Sequence, residues 1–140
     1  MIEQKTAAYA ALLLRLISGG LFVAHGLTKV FVFTIPGTVG YFESLGLPGF
    51  VAYFTIVAEL FGGLALLLGV ATRWVSVPLV ALLLGVVWAH SGNGWGFTNA
   101  GGGWEFPLFW AAAQAAIGLL GNGALALKIP VANKLFGQYA

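Results

Sequence analysis

The chain contains no cysteine. That absence excludes thiol–disulfide chemistry, a thiolate-held iron–sulfur cluster and covalent haem attachment through a cysteine pair. Charge is nearly as scarce: 7% of the 140 residues are Asp, Glu, Lys or Arg, against 60% hydrophobic. A soluble domain carries about a quarter charged residues to face water, so lipid must be the main solvent for this one. Six basic and four acidic residues leave a formal charge of +2. No basic run and no reader motif accompanies that excess, which argues against nucleic acid as a partner. A cleavable leader is not expected, because the first apolar run is too long for a signal-peptide core.

What is abundant is apolar sequence punctuated by glycine and proline, and it predicts an all-α fold: an integral membrane four-helix bundle forming a single domain over 1–140. About 20 apolar residues are needed to cross the hydrocarbon layer as a helix. Four candidates meet or approach that length, at about 8–33, 50–70, 74–90 and 104–120. Pro36-Gly37 and Leu47-Pro48-Gly49 separate the first two, Gly69 and Thr72-Arg73 mark a tight turn, and Gly121-Asn122-Gly123 weakens the last. Pro78 and Pro107 both fall early in their spans, where a missing N–H is tolerated. Beyond Leu127 a short surface tail is expected, with Lys128 and Lys134 beside Phe136 and Tyr139.

Four spans put both termini on one side, together with the turn between the second and third. That side holds Lys5, Arg73, Lys128 and Lys134, with Arg15 expected to snorkel toward it, whereas the other side has only Lys29. The positive-inside rule then predicts cytoplasmic termini. The two longer loops, at 34–49 and 91–103, face outward. The second alternates Gly92, Gly94, Gly96 and Gly101 to Gly103 with Asn93, Trp95, Phe97 and Asn99, which fits either a tightly folded loop or close approach to a ligand.

Ionisable groups inside a span are costly, and those retained face the bundle interior. On the first helix Arg15, Ser18, Phe22, His25 and Lys29 share a stripe about 80° wide at ~100° per residue. Glu59 on the second helix precedes Gly62 and Gly63, a smooth patch where another helix packs closely. His25 and Glu59 each lie roughly 12 Å below the outer end of their helices, and Lys29 roughly 6 Å. His90 closes the third helix and Glu105 opens the fourth near the same rim. The candidate polar site is therefore His25, Lys29, Glu59, His90 and Glu105. Its groups form either a functional pocket or a pairing that only holds helices in register, since a buried charge needs a partner in both cases. Arg15, Arg73 and Gln114 are expected to be structural, Gln114 standing about 180° from Glu105 around the fourth helix. No ligand spacing supports a metal site, and His25 and His90 sit roughly 10 Å apart in depth, against bis-histidine haem ligation.

Leu14-Arg15-Leu16, Ala24-His25-Gly26-Leu27-Thr28-Lys29, Glu43 to Pro48, Ala58-Glu59-Leu60-Phe61-Gly62-Gly63, Leu68-Gly69, Thr72-Arg73 and Gly103 to Leu108 occur in this order over about 12–127. In that order and spacing the chain resembles the DoxX family of small bacterial membrane proteins. The resemblance implies a four-helix bundle in the bacterial inner membrane and a link to quinone-coupled redox chemistry. It points to Arg15, His25, Lys29, Glu59, Arg73 and Glu105 without saying which does chemistry.

The leading expectation is a quinone/quinol-linked redox subunit, or an accessory subunit of a membrane redox complex. Quinone chemistry couples electrons to protons, which suits His25 or Lys29 as donor and Glu59 as proton acceptor, with Phe22, Phe54, Phe61 and Trp88 as apolar lining. Alternatives are a non-enzymatic anchor or assembly partner, and a small-molecule or proton pathway that would need a homo-oligomer for room.

Overall fold

The computed structural model describes residues 3–130, and the sequence stretches expected to span a membrane are helical within it. In hydrocarbon every backbone N–H and C=O must be satisfied internally, and a helix does this within one segment. Helix α1 runs over Gln4–Phe31, α2 over Ile35–Ser44, α3 over Phe50–Leu68, α4 over Thr72–His90 and α5 over Glu105–Leu120. Among the described residues there is no strand. The helices α1, α3 and α4 are long and apolar enough to cross a membrane, and α5 is a shorter apolar helix of 16 residues. At 1.5 Å per residue α5 covers about 24 Å, short of the ~30 Å hydrocarbon layer.

Two expectations are corrected. The outer segment 34–49 is not a plain loop, because it contains α2. Its breaker signal is a start signal: Pro36 lies in the first turn, and the Thr34 hydroxyl accepts from the Gly37 N–H at 3.3 Å. Next, α4 begins at Thr72, which puts Pro78 inside the helix beyond its first turn. The segment after α5 packs back on the bundle. Gly123 packs against α1 so tightly that an added Cβ would lie 2.7 Å from both the Ala11 Cβ and the Ala8 carbonyl oxygen. The Ala124 N–H donates to that carbonyl at 2.9 Å, and the Asn122 side chain accepts from the Thr72 N–H at 3.1 Å. Asn122 thereby caps α4 from a distant part of the chain. Lys134, Phe136 and Tyr139 lie outside the described residues.

Close packing rests on small residues, the usual device where lipid removes the hydrophobic drive between helices. Gly19 of α1 and Gly63 of α3 meet backbone to backbone: a Cβ on either would come 2.8 Å from the other's carbonyl oxygen. One heptad along α1, Gly26 leaves room for Leu60 and the Cβ of Glu59. Gly118 of α5 does the same for Ser76 of α4. The core between helices is Phe22, Leu66, Leu79, Leu83, Trp110, Ala111 and Ile117, while large apolar side chains such as Phe31, Phe54, Phe61, Val77, Phe109 and Leu119 face outward, as a lipid solvent requires.

Candidate functional site

The crossing of α1 and α3 at the small residues brings two charges together. Lys29 Nζ donates to Glu59 Oε1 at 2.7 Å, with the two side chains 18% and 4% exposed. Glu59 is therefore sealed, and Lys29 is the partly open partner. The other carboxylate oxygen, Oε2, is buried without a hydrogen-bond partner. Glu59 also stands in a widened stretch of α3, since residues Ala58–Gly62 form a π-helical turn. Such turns are rare and gather at functional sites. The Glu–Lys pair is the centre of the polar site.

His25 lies one turn before Lys29 on α1. Its ring makes no hydrogen bond to the carboxylate. Nδ1 sits 2.8 Å from the Leu21 carbonyl; a carbonyl only accepts, so that nitrogen carries the hydrogen. The His25 ring leans on Trp110, 5.2 Å between ring centres, and Trp110 stacks on Phe22 at 4.5 Å. The aromatic series continues outward through Phe106 at 5.9 Å and Phe97 at 5.8 Å. It ends in an open apolar groove of about 680 Å³ lined by Trp95, Phe97, Glu105, Phe106, Leu108, Phe109 and Ala112.

The remaining sequence candidates are not joined to this centre. His90 binds its own helix through Nδ1 and the Val86 carbonyl at 2.9 Å. Glu105 accepts from the Phe97 N–H at 2.6 Å and so ties the glycine-rich loop to the start of α5. That loop is tightly folded: Asn93 donates to the carbonyls of Gly101 and Gly102, and an added Cβ on Gly103 would meet the carbonyl oxygens of Gly94, Trp95 and Gly96 at clashing distance. Among the described residues no three His, Asp or Glu side chains gather as a metal site would require.

Arg15 does not snorkel. It is fully buried and donates through Nη1 to the carbonyls of Leu66 and Leu67, at 2.9 and 2.7 Å, and through Nη2 to that of Ala124 at 2.8 Å. A guanidinium presents five donors in a fixed fork, and here it closes the unsatisfied end of α3. Gly69, at φ 71°, makes this possible, since any Cβ would stand 2.8 Å from the guanidinium carbon. Arg73 lies over Gly121.

Gln114 sits in a buried chain that sequence reading missed in part. Trp110 Nε1 donates to Ser18 Oγ at 2.8 Å, and Ser18 donates to Gln114 Oε1 at 2.6 Å. Gln114 Nε2 donates to Ser76 Oγ at 2.8 Å, and Ser76 Oγ donates to the Thr72 carbonyl at 2.7 Å. The chain ties α1, α4 and α5 together with its donors used, so it is a structural clasp. Ser76 carries no sequence signal beyond its place four residues after Thr72.

Fold and site define a small helical membrane protein with an ion pair placed between two spanning helices. The chain belongs to the DoxX family, whose model matches residues 10–92. That match covers α1 to α4 and ends short of the Trp104–Leu108 stretch on which the resemblance also drew. The chain is similar to "Putative oxidoreductase CatD" of Bacillus subtilis (strain 168), with 41% identity over 83 residues, 59% of this chain and 60% of that relative. The chain thus matches about three-fifths of that curated relative's length. No solved structure matches it.

Proposed function

We propose that this protein is a quinone/quinol-linked redox subunit, working at the Lys29–Glu59 pair. The observation that carries the reading is a sealed carboxylate, paired through one oxygen and with no partner from the protein at the other. A purely structural ion pair gains by using its remaining lone pairs, because an unmet buried acceptor costs about 1–3 kcal/mol. A ligand that supplies a hydrogen bond offsets that cost. Lys29 offers N–H groups to a quinoid oxygen, Glu59 takes or returns a proton, and His25 provides a second proton-exchanging group beside the pair. The groove beside Phe97 and Phe106, linked to His25 by the stacked rings of Phe106 and Trp110, suits an apolar tail arriving from the lipid. The name of the Bacillus relative, an oxidoreductase, agrees with this reading.

The same reading sets the protein in the bacterial cytoplasmic membrane with its termini inside, supported by Lys5, Arg73 and Lys128 against the paired Lys29. The cysteine-free sequence makes orientation easy to test: single cysteines at Lys5 and Asn99 should be respectively protected from and labelled by an impermeant maleimide on intact spheroplasts. For the activity, a short-tailed quinone/quinol couple should raise the unfolding temperature saturably, and Glu59→Gln should remove the effect. A flat response across several such couples would overturn the proposal.

A further inference from the structure

Quinone and quinol differ in hydrogen-bonding character more than in shape. A quinone carries two carbonyl oxygens that only accept, whereas each hydroxyl of a quinol both donates and accepts. Glu59 Oε2 is an acceptor with no partner, on a carboxylate whose other oxygen receives a 2.7 Å bond from an ammonium group. In an ion pair of this geometry the proton sits on the lysine, and the carboxylate has none to donate. A carbonyl oxygen set against Oε2 leaves both acceptors unmet, whereas a hydroxyl donates its hydrogen to Oε2 and satisfies it.

We infer that the site selects the reduced, hydroxyl-bearing member of a quinone/quinol pair, and that Glu59 Oε2 is the selecting atom. The inference rests on the quinone-linked reading above and adds to it the redox form that is bound. Lys29 does not discriminate, because its N–H groups serve a carbonyl or a hydroxyl oxygen equally well. Glu59 is sealed where Lys29 is partly open, so the hydroxyl approaches alongside the lysine side chain. The Leu21 carbonyl fixes the hydrogen on Nδ1 of His25, and in the neutral ring Nε2 is a second acceptor on the exposed side. A site that hydrogen-bonds a hydroxyl discriminates strongly against an analogue lacking one, because its own polar group is then stranded.

The test uses the purified protein in lipid nanodiscs under anaerobic conditions, titrated with a short-tailed ubiquinol, with the matching ubiquinone and with the dimethyl ether of that quinol. The readout is the saturable shift in unfolding temperature. The ubiquinol should bind about 10- to 100-fold more tightly than the quinone, the ether should behave like the quinone, and Glu59→Gln should remove the preference. Equal affinities, or an ether as tight as the quinol, would overturn the selectivity and leave the quinone-linked reading standing. No saturable shift with any of the three would overturn that reading itself. The ether comparison is made on the unaltered protein and so does not depend on a variant folding.

Discussion

The two ends of the bundle put their buried polar groups to different uses. At the end where α3 turns into α4, Arg15 satisfies three carbonyls, Asn122 caps α4 and the segment after α5 is stitched to α1. Toward the other end, Glu59 keeps one oxygen unmet and His25 spends its known bond on its own helix. The first end is matched apart from Arg15 Nε and Thr72 Oγ1, which are buried without a partner, and its bonds hold helices in place; in the interior the unmet acceptor belongs to a charged group beside a partly open lysine. The small-residue contacts between Gly19 and Gly63, and between Gly26 and Leu60, join the two regions, so the matched end sets the crossing that brings Lys29 to Glu59.

The sharpest way to break the comparison is at the matched end. Arg15→Met strands the carbonyls of Leu66, Leu67 and Ala124 and should cost about 3–5 kcal/mol, read as unfolding in mixed detergent or by steric trapping in bicelles. Almost as large, Gly63→Val should cost about 3 kcal/mol, because its side chain meets the α1 backbone. The control is Gly20→Ala, where an added Cβ meets nothing within 4 Å, and stability should be nearly unchanged. A smaller loss, about 1 kcal/mol, is expected for Gln114→Leu, in line with the modest worth of hydrogen bonds between membrane helices. Smallest is Glu105→Ala: global stability should stay within about 0.5 kcal/mol, while amide exchange at Phe97 accelerates as its acceptor is lost. A collapse of the whole protein in Glu105→Ala would show that the loop tie belongs with the matched end.

Much of this contrast could be read before the structure. The apolar runs placed the helices, since backbone satisfaction in lipid leaves few alternatives, and the stripe on α1 put Lys29 on the helix face that meets Glu59, while His25 turns to Trp110 of α5. The role of Arg15 was not legible. Its snorkelling was the expectation because a long cationic side chain near a span end usually reaches water, and only the tertiary path of residues 121–124 turns carbonyls toward it. The helix α2 was hidden because Pro36-Gly37 reads equally as a stop for α1 and as a first turn. Asn122 between two glycines looked like a break, yet its side chain completes a helix that starts 50 residues earlier. The π-helical turn around Glu59 carries no periodic signature, since one widened turn leaves the apolar pattern of α3 intact.

The most direct test of the central claim is the unfolding free energy of the double variant Lys29→Met with Glu59→Leu, measured in bicelles beside the parent protein. Replacing a buried ion pair by apolar side chains is often neutral or stabilising. If the pair exists to receive a ligand, stability should fall by no more than about 1 kcal/mol while the response to ubiquinol disappears. A loss of about 3 kcal/mol or more, with the ubiquinol response retained in the folded fraction, would make the pair a structural pin and contradict the account.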